Sequence, residues 1–274
     1  MKALPECETL ALALDEGVLH ITLNRPESRN AMSLKMVQEL RALIGECHQD
    51  ENLRALVLRG AGGHFCAGGD IRDMAGARGQ KVEEGKEDPF YTLNRAFGYL
   101  LSEMEQVPQT VIAVLEGTVM GGGFGLACVA DISLSHSNAR FALPETTLGI
   151  PPAQIAPFVV RRVGLTQARR LALLGERFQG PEAQALGVSQ FLAEDDAALE
   201  EKLAHIISRV RYCAPVASRA TKAMLLQVGH KPLEELLDDA AGEFARAIRG
   251  PEGQEGTTAF MQKRPPKWAD NNPH

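Results

Sequence analysis

Up to Pro152 the chain predicts an α/β fold, a mainly parallel sheet covered by helices, and beyond it a run of helices. Three observations carry this reading. Short apolar runs alternate with segments of helical periodicity, which is the pattern of strands joined by crossover helices. After Pro152 the strand signal fades and apolar residues recur on one helical face. The length of 274 residues, 45% of them hydrophobic, supplies a large core; at this size roughly three quarters of the unfolded surface can be buried. The expected division is a core over residues 1–195 and a helical region over 196–274.

The elements follow in order. Leu10 to Leu14 and Val18 to Leu23 flank Asp15-Glu16-Gly17, two strands joined by a tight turn. Behind Ser33, an expected N-cap, Leu34, Val37, Leu40, Ile44 and Cys47 recur at helical spacing. Ala55 to Leu58 is a buried strand. Ala75 to Pro89 combines three glycines with mixed charges and almost no bulky apolar residue, so a mobile surface loop is expected there. Phe97, Leu100, Leu101 and Met104 mark a helix that leads to a strand over Thr110 to Leu115. A glycine cluster and an apolar helix then run to Ala130, and a strand covers Ile132 to Ser135. Helices are expected around Leu165 to Leu174, Leu199 to Val210, Pro215 to Val228 and Leu233 to Ile248. No internal repeat reaches the strength of a solenoid.

Composition excludes several function classes. With 29 Lys and Arg against 35 Asp and Glu the net charge is −6, which disfavours nucleic acid as a partner. The five cysteines, Cys7, Cys47, Cys66, Cys128 and Cys213, form no C-x-x-C pair and read as reduced thiols of a cytoplasmic protein. Neither a signal peptide nor a membrane-spanning run is written in the chain. A phosphate loop, a nucleophile elbow and a zincin motif are all missing, and every G-x-G lacks the third glycine of the dinucleotide fingerprint. The seven histidines are scattered singly, so no metal site is expected.

Two glycine-rich turns stand out, His64-Phe65-Cys66-Ala67-Gly68-Gly69-Asp70 and Gly117-Thr118-Val119-Met120-Gly121-Gly122-Gly123-Phe124-Gly125. Each follows a buried strand and precedes a helix. Small residues let a ligand approach the backbone, and free N–H groups at a helix start can hold a developing oxyanion. Either turn alone is read equally well as tight packing. Together they could place two donors on one carbonyl oxygen, which is what an enolate derived from a thioester requires. A third element, Arg140 to Pro152, sets Glu145 after a proline in an apolar stretch. Burial would raise its pKa and suit it to proton transfer, while a nearby helix start would oppose the rise.

These residues, with Asn24-Arg25-Pro26, Asn30-Ala31, Ala130-Asp131 and the ending Glu255-Gly256 to Phe260-Met261-Gln262-Lys263-Arg264, resemble the crotonase, or enoyl-CoA hydratase/isomerase, superfamily over nearly the whole chain. The resemblance implies a crotonase-like spiral of ββα units, a C-terminal helical trimerisation region, and a homotrimer or a hexamer built as a dimer of trimers. It implies an acyl-CoA substrate, with CoA as part of the substrate and no separate cofactor. By position, the N–H groups of Ala67 and Gly122 would form the oxyanion hole, with Glu145 as the catalytic acid or base. Ala67, Gly68, Gly69, Asp70 and Ile71 would line the CoA channel. Arg25, Phe260 and Lys263 would reach the nucleotide end of CoA, the last two from a neighbouring subunit.

Two departures from the family pattern refine the expectation. Two-carboxylate hydratases carry a glutamate where this chain has Gly125, so Glu145 stands alone, as in the family's isomerases. A glycine-rich segment after Pro151 is replaced by Pro152-Ala153-Gln154-Ile155-Ala156-Pro157-Phe158, so the acyl pocket is expected to be remodelled. The stretch from Gly121 to Phe158 is similar to the isohexenylglutaconyl-CoA hydratases of acyclic terpene breakdown. That resemblance implies hydration of a branched, carboxylated 2-enoyl-CoA, 3-methylglutaconyl or isohexenylglutaconyl, with Arg72 or His64 as candidates for the substrate carboxylate if they are not simply solvated. The rivals are an isomerase or decarboxylase on the same oxyanion hole and, in another class, a non-catalytic acyl-CoA-binding or RNA-binding protein.

Overall fold

The structure, a computed structural model, describes residues 4–78, 85 and 87–269. Strands β1 (Leu10–Asp15) and β2 (Val18–Leu23) form the expected antiparallel hairpin. Glu16 and Gly17 both take positive φ at its tip, the backbone that matches the twist of the two strands. Helix α1 (Leu34–Gln49) starts where Ser33 accepts a hydrogen bond from the Met36 N–H at 3.2 Å. Its face of Met36, Val37, Leu40, Leu43, Ile44 and Cys47 is buried.

Next come β3 (Ala55–Gly60), α2 (Ile71–Arg78), α3 (Pro89–Gln106), β4 (Thr110–Leu115), β5 (Thr118–Met120) and α4 (Gly122–Val129). Residues 75–78, expected in a loop, instead continue α2, and Pro89 opens α3 behind Asp88, whose carboxylate accepts the Phe90 N–H at 2.7 Å. Residues 79–84 and 86 of the expected loop lie outside the described residues. The chain continues through β6 (Ile132–His136), β7 (Arg140–Ala142), α5 (Ala156–Leu174), β8 (Arg177–Gln179), α6 (Gly180–Ala185), β9 (Phe191–Ala193), α7 (Asp196–Tyr212), α8 (Pro215–Leu226), α9 (Leu233–Arg249) and α10 (Pro251–Met261). Strand signal therefore persists beyond Pro152, in two three-residue strands too short to show a period.

Six strands form one sheet in the order β1-β2-β3-β4-β6-β9, parallel from β2 onward. Its inner strands are apolar on both faces, as a covered parallel sheet must be. Leu56, Leu58, Val111, Ala113 and Leu115 face one core with α1, α3 and α4. Their neighbours Val57, Ile112 and Val114 face a second core closed by Leu199, Leu203 and Ile206 of α7.

A second sheet has the order β5-β7-β8, and isolated bridges extend it from β5 to Cys66 and join Gly69 to Met32. Successive chain segments thus place one strand in the large sheet, one in the small sheet and then a helix. This is the ββα spiral, built without a repeat visible in the residues. The tail differs from the core in burial, since α8 and α9 bury no residue in the chain. Among the described residues, no helix is long and apolar enough to cross a membrane.

Candidate active site

The small sheet gathers the three site segments at the carboxyl ends of parallel strands. Cys66 bridges Val119 of β5, and Met120 at the end of β5 pairs with Ala142 at the end of β7. The chain leaves these ends as the first glycine turn, the second glycine turn and the Pro144-Glu145 corner. The Gly121 N–H donates to the Ala142 carbonyl at 3.1 Å, which locks the second turn to the third.

The first turn corrects the expected oxyanion donor. The Ala67 N–H donates to the Arg29 carbonyl at 3.0 Å and is engaged within the fold. One peptide further on, the Gly68 carbonyl accepts from the Met32 N–H at 2.7 Å, and the Asp70 N–H donates to the Met32 carbonyl at 3.0 Å. Because a trans peptide sets its C=O and N–H on opposite sides, the Gly69 N–H points away from Met32, and it has no partner among the described residues. Gly68, at φ 103, lets this turn lie against the second: a Cβ there would stand 3.8 Å from Gly122 N. The Gly122 N–H, at the first position of α4, has no intrahelical acceptor.

Arg25 and Asp70 hold each other. Arg25 Nη2 lies 2.7 Å from Asp70 Oδ2, and Nη1 donates to the Ala31 carbonyl at 2.6 Å. Burial pushes the Asp70 carboxyl up, but the Arg72 N–H and the Arg25 guanidinium outweigh it and hold the group below its ordinary value. Asn30, fully buried, accepts the Arg25 N–H and donates to the Ala61 and His64 carbonyls. The Arg25 to Asp70 pair therefore braces the first turn.

His64 Nδ1 accepts the Thr118 N–H at 3.2 Å and is lowered in pKa by burial, so it is tied to β5, while the Arg72 side chain is exposed. Ile71 opens α2, and its side chain falls outside the described set. Phe260, 85% exposed, and Lys263 lie on and just after α10, and no contact among the described residues brings them to the glycine turns. Burial pushes the Cys66 thiol up to about 11, which makes it a packing residue rather than a nucleophile.

Glu145 opens a short 3-10 turn, Glu145–Leu148, held by the Thr146 hydroxyl on the Ala172 carbonyl and the Thr147 hydroxyl on the Pro144 carbonyl. Its Oε1 lies 2.9 Å from where a Cβ on Gly121 would stand, and Gly121 has φ 50. Its Oε2 is buried with no hydrogen-bond partner among the described residues. Burial raises the pKa of this carboxyl, opposed only by its own backbone N–H. An acid aimed at two glycine turns, with one oxygen unsatisfied, is equipped to exchange a proton with a bound molecule.

Two residues that the sequence placed only in a helix and in the remodelled segment, Phe97 and Ile155, lie against the second glycine turn. The Phe97 ring of α3 lies 3.2 Å from where a Cβ on Gly122 would stand. At Gly125, Ile155 fills the side-chain space: a Cβ there would overlap Ile155 Cγ2 and meet Ile155 Cβ at 3.1 Å and Leu101 Cδ1 at 3.5 Å. The place of a second carboxylate is thus taken by an apolar wall. The Pro152 to Phe158 departure was the one signal for it. Among the described residues, no group of three or more His, Cys, Asp or Glu side chains could hold a metal ion.

A model of the enoyl-CoA hydratase/isomerase family matches residues 13–271. The 2,3-dehydroadipyl-CoA hydratase of Escherichia coli (strain K12) is 31% identical over 258 residues, spanning 94% of this chain and 97% of its own length. Among solved structures, an enoyl-CoA hydratase/isomerase from Marinobacter aquaeolei is 60% identical with a TM-score of 0.94, over 96% of this chain and 100% of that one. Pseudomonas aeruginosa AtuE is 59% identical with a TM-score of 0.92, again over 96% of this chain and 100% of its own.

Proposed function

The chain belongs to the enoyl-CoA hydratase/isomerase family, and we propose that it hydrates a branched 2-enoyl-CoA whose far end carries a carboxylate, of the 3-methylglutaconyl or isohexenylglutaconyl type. The observation that carries the single-acid chemistry is the buried, unpartnered Oε2 of Glu145 beside the two glycine turns. The relative from Escherichia coli is named for a dehydroadipyl thioester, itself derived from a dicarboxylic acid.

In this reading the Gly69 and Gly122 N–H groups take the thioester oxygen, with Gly69 in the role first given to Ala67. The Glu145 carboxylate accepts a proton from water as the hydroxyl oxygen bonds to C3. The C2–C3 π electrons move to the thioester, whose enolate oxygen the two N–H groups hold. The same carboxyl then gives its proton to C2 and returns to the carboxylate. Water and thioester are the only reactants, and no cofactor takes part. Loss of one oxyanion donor typically costs about 2.7–4 kcal/mol of transition-state stabilisation.

The first turn from Ala67 to Ile71 lines the CoA channel, and Phe260 and Lys263 reach CoA from a neighbouring subunit of a homotrimer or a hexamer. The Ile155 wall favours one rival, an isomerase that shuttles a proton on Glu145 with water excluded. Purified protein should consume 3-methylglutaconyl-CoA with loss of enoyl-thioester absorbance, and Glu145→Gln should lower kcat about 10²–10⁴-fold, the usual span for a general acid–base group. An undiminished rate in Glu145→Gln would refute the scheme.

A further inference from the structure

Beyond Ile155 lies a polar cluster that takes no part in the steps above. Gly98 of α3 has no side chain, and Gln154 Oε1 folds into its place while Arg95 Nη1 comes within 2.6 Å of where a Cβ would stand. Arg95 Nη1 donates to Gln154 Oε1 at 3.3 Å, and Gln154 Nε2 donates to Asn94 Oδ1 at 2.9 Å. The Arg95 guanidinium also lies over the Tyr99 ring, 3.9 Å from its centroid. Tyr99 and Gln154 together fix where the charge sits.

These bonds engage both amide oxygens of the cluster. The groups left over are donors, Asn94 Nδ2 and the rest of the Arg95 guanidinium, and no carboxylate among the described residues pairs with Arg95. A surplus of N–H donors around a permanent positive charge suits a ligand that only accepts, and a carboxylate is that ligand.

Position points the same way. Phe97 and Leu101 of α3 and Ile155 wall the first turn of α4 at Gly122 and Gly125. Asn94 and Gly98 lie three residues earlier on the same helix, about 5 Å along its axis. Gln154 is the chain neighbour of Ile155. The cluster therefore stands one step out from Gly122 and Gly125 at the start of α4, on the side formed by the remodelled segment.

We propose that Arg95, oriented by Gln154 and Tyr99 and assisted by Asn94, is the subsite for the free carboxylate at the far end of the substrate. This rests on the carboxylated-substrate reading given above. The test compares kcat/KM for 3-methylglutaconyl-CoA with that for its neutral methyl ester, in the unaltered protein and in Arg95→Gln and Arg95→Lys. The acid-to-ester ratio should favour the acid, fall about 10–100-fold in Arg95→Gln through KM, and be largely kept in Arg95→Lys, since a charged hydrogen bond is worth that range.

A purely structural role for Arg95 would lower both substrates together and leave the ratio unchanged, which overturns the subsite. An acid preference that survives Arg95→Gln overturns this inference alone. A ratio near one in the unaltered protein overturns the carboxylated-substrate reading and this subsite with it.

Discussion

Burial lifts the Glu145 carboxyl above its ordinary range, and the two consequences run in opposite directions with pH. As the base of the proposed hydration the group would work as the carboxylate, so kcat should rise with pH through the raised pKa. For stability the folded pKa lies above the unfolded one, so this group's contribution is full below the unfolded pKa and is lost as pH rises through the folded value. Glu145→Gln removes the buried charge; at neutral pH it should raise Tm by roughly 2–4 °C, the shift of about 1 kcal/mol in a chain near this size, while abolishing most activity. A thermal melt across pH checks the sign. If the variant melts lower at neutral pH, the carboxyl is not strained by burial.

Gly125 yields a second prediction at this scale. Adding the acid of a two-carboxylate hydratase by Gly125→Glu should destabilise the fold by about 3–5 kcal/mol, because Ile155 occupies the space and the new charge would be buried unpaired. Pairing it with Ile155→Ala should recover part of that loss, measured as the non-additivity of a double-mutant cycle in denaturant. Additive losses would show that the two positions do not share one volume. Residue identity in the sequence singled out Glu145, Gly122 and Gly125, and the fold brings their segments together at the ends of β5 and β7. It did not show that the Ala67 N–H is spent on the Arg29 carbonyl, because that pairing joins segments far apart in the sequence.

At the scale of the element, α4 is held at both ends. Gly122 opens it toward the site, and at its far end Arg162 of α5 donates from Nε to the Cys128 carbonyl at 3.1 Å and from Nη2 to the Ala127 and Cys128 carbonyls at 3.2 and 2.9 Å, as well as to the Ala130 carbonyl. A cation there satisfies the carbonyls that the helix leaves unbonded and complements its dipole. Arg162→Ala should cost about 2–3 kcal/mol of stability, the worth of hydrogen bonds to a charged group, seen as a lower denaturant midpoint. A cost under about 0.5 kcal/mol would mean that water caps the helix equally well.

The long elements were legible because period and caps agree. Ser33 before the apolar face of α1 and the Glu16-Gly17 turn both sit where expected. The strands β5, β7, β8 and β9 were not, since each has three residues and is defined by its neighbours rather than by its own pattern. That is why the small sheet, which assembles the site, was the least visible part of the fold. The Ala75 to Arg78 helix was hidden for another reason, as Gly76 and the charges around it carry no amphipathic face.

Across the whole molecule, the helical tail leaves an apolar face uncovered. Leu233, Leu237, Phe244 and Ile248 of α9 are each at least 41% exposed, with Leu225 of α8 beside them in the same tail. Such a face on a chain of this size is expected to be buried between copies. Phe244→Glu should shift the protein from the proposed trimer or hexamer to monomer in sedimentation velocity. A monomeric unaltered protein would leave the face, and the reach of Phe260 and Lys263 to a neighbour's site, without support.

In the proposed reaction one carboxyl, Glu145, both activates water and protonates C2. The measurement that tests it most directly is mass spectrometry of 3-methylglutaconyl-CoA and isohexenylglutaconyl-CoA after incubation with the purified protein in deuterated water, repeated with Glu145→Gln. The expected result is a gain of one D₂O by the preferred thioester, lost in the variant. Deuterium incorporation or migration of the double bond with no gain of water would contradict it and mark the site as a proton shuttle of the isomerase kind.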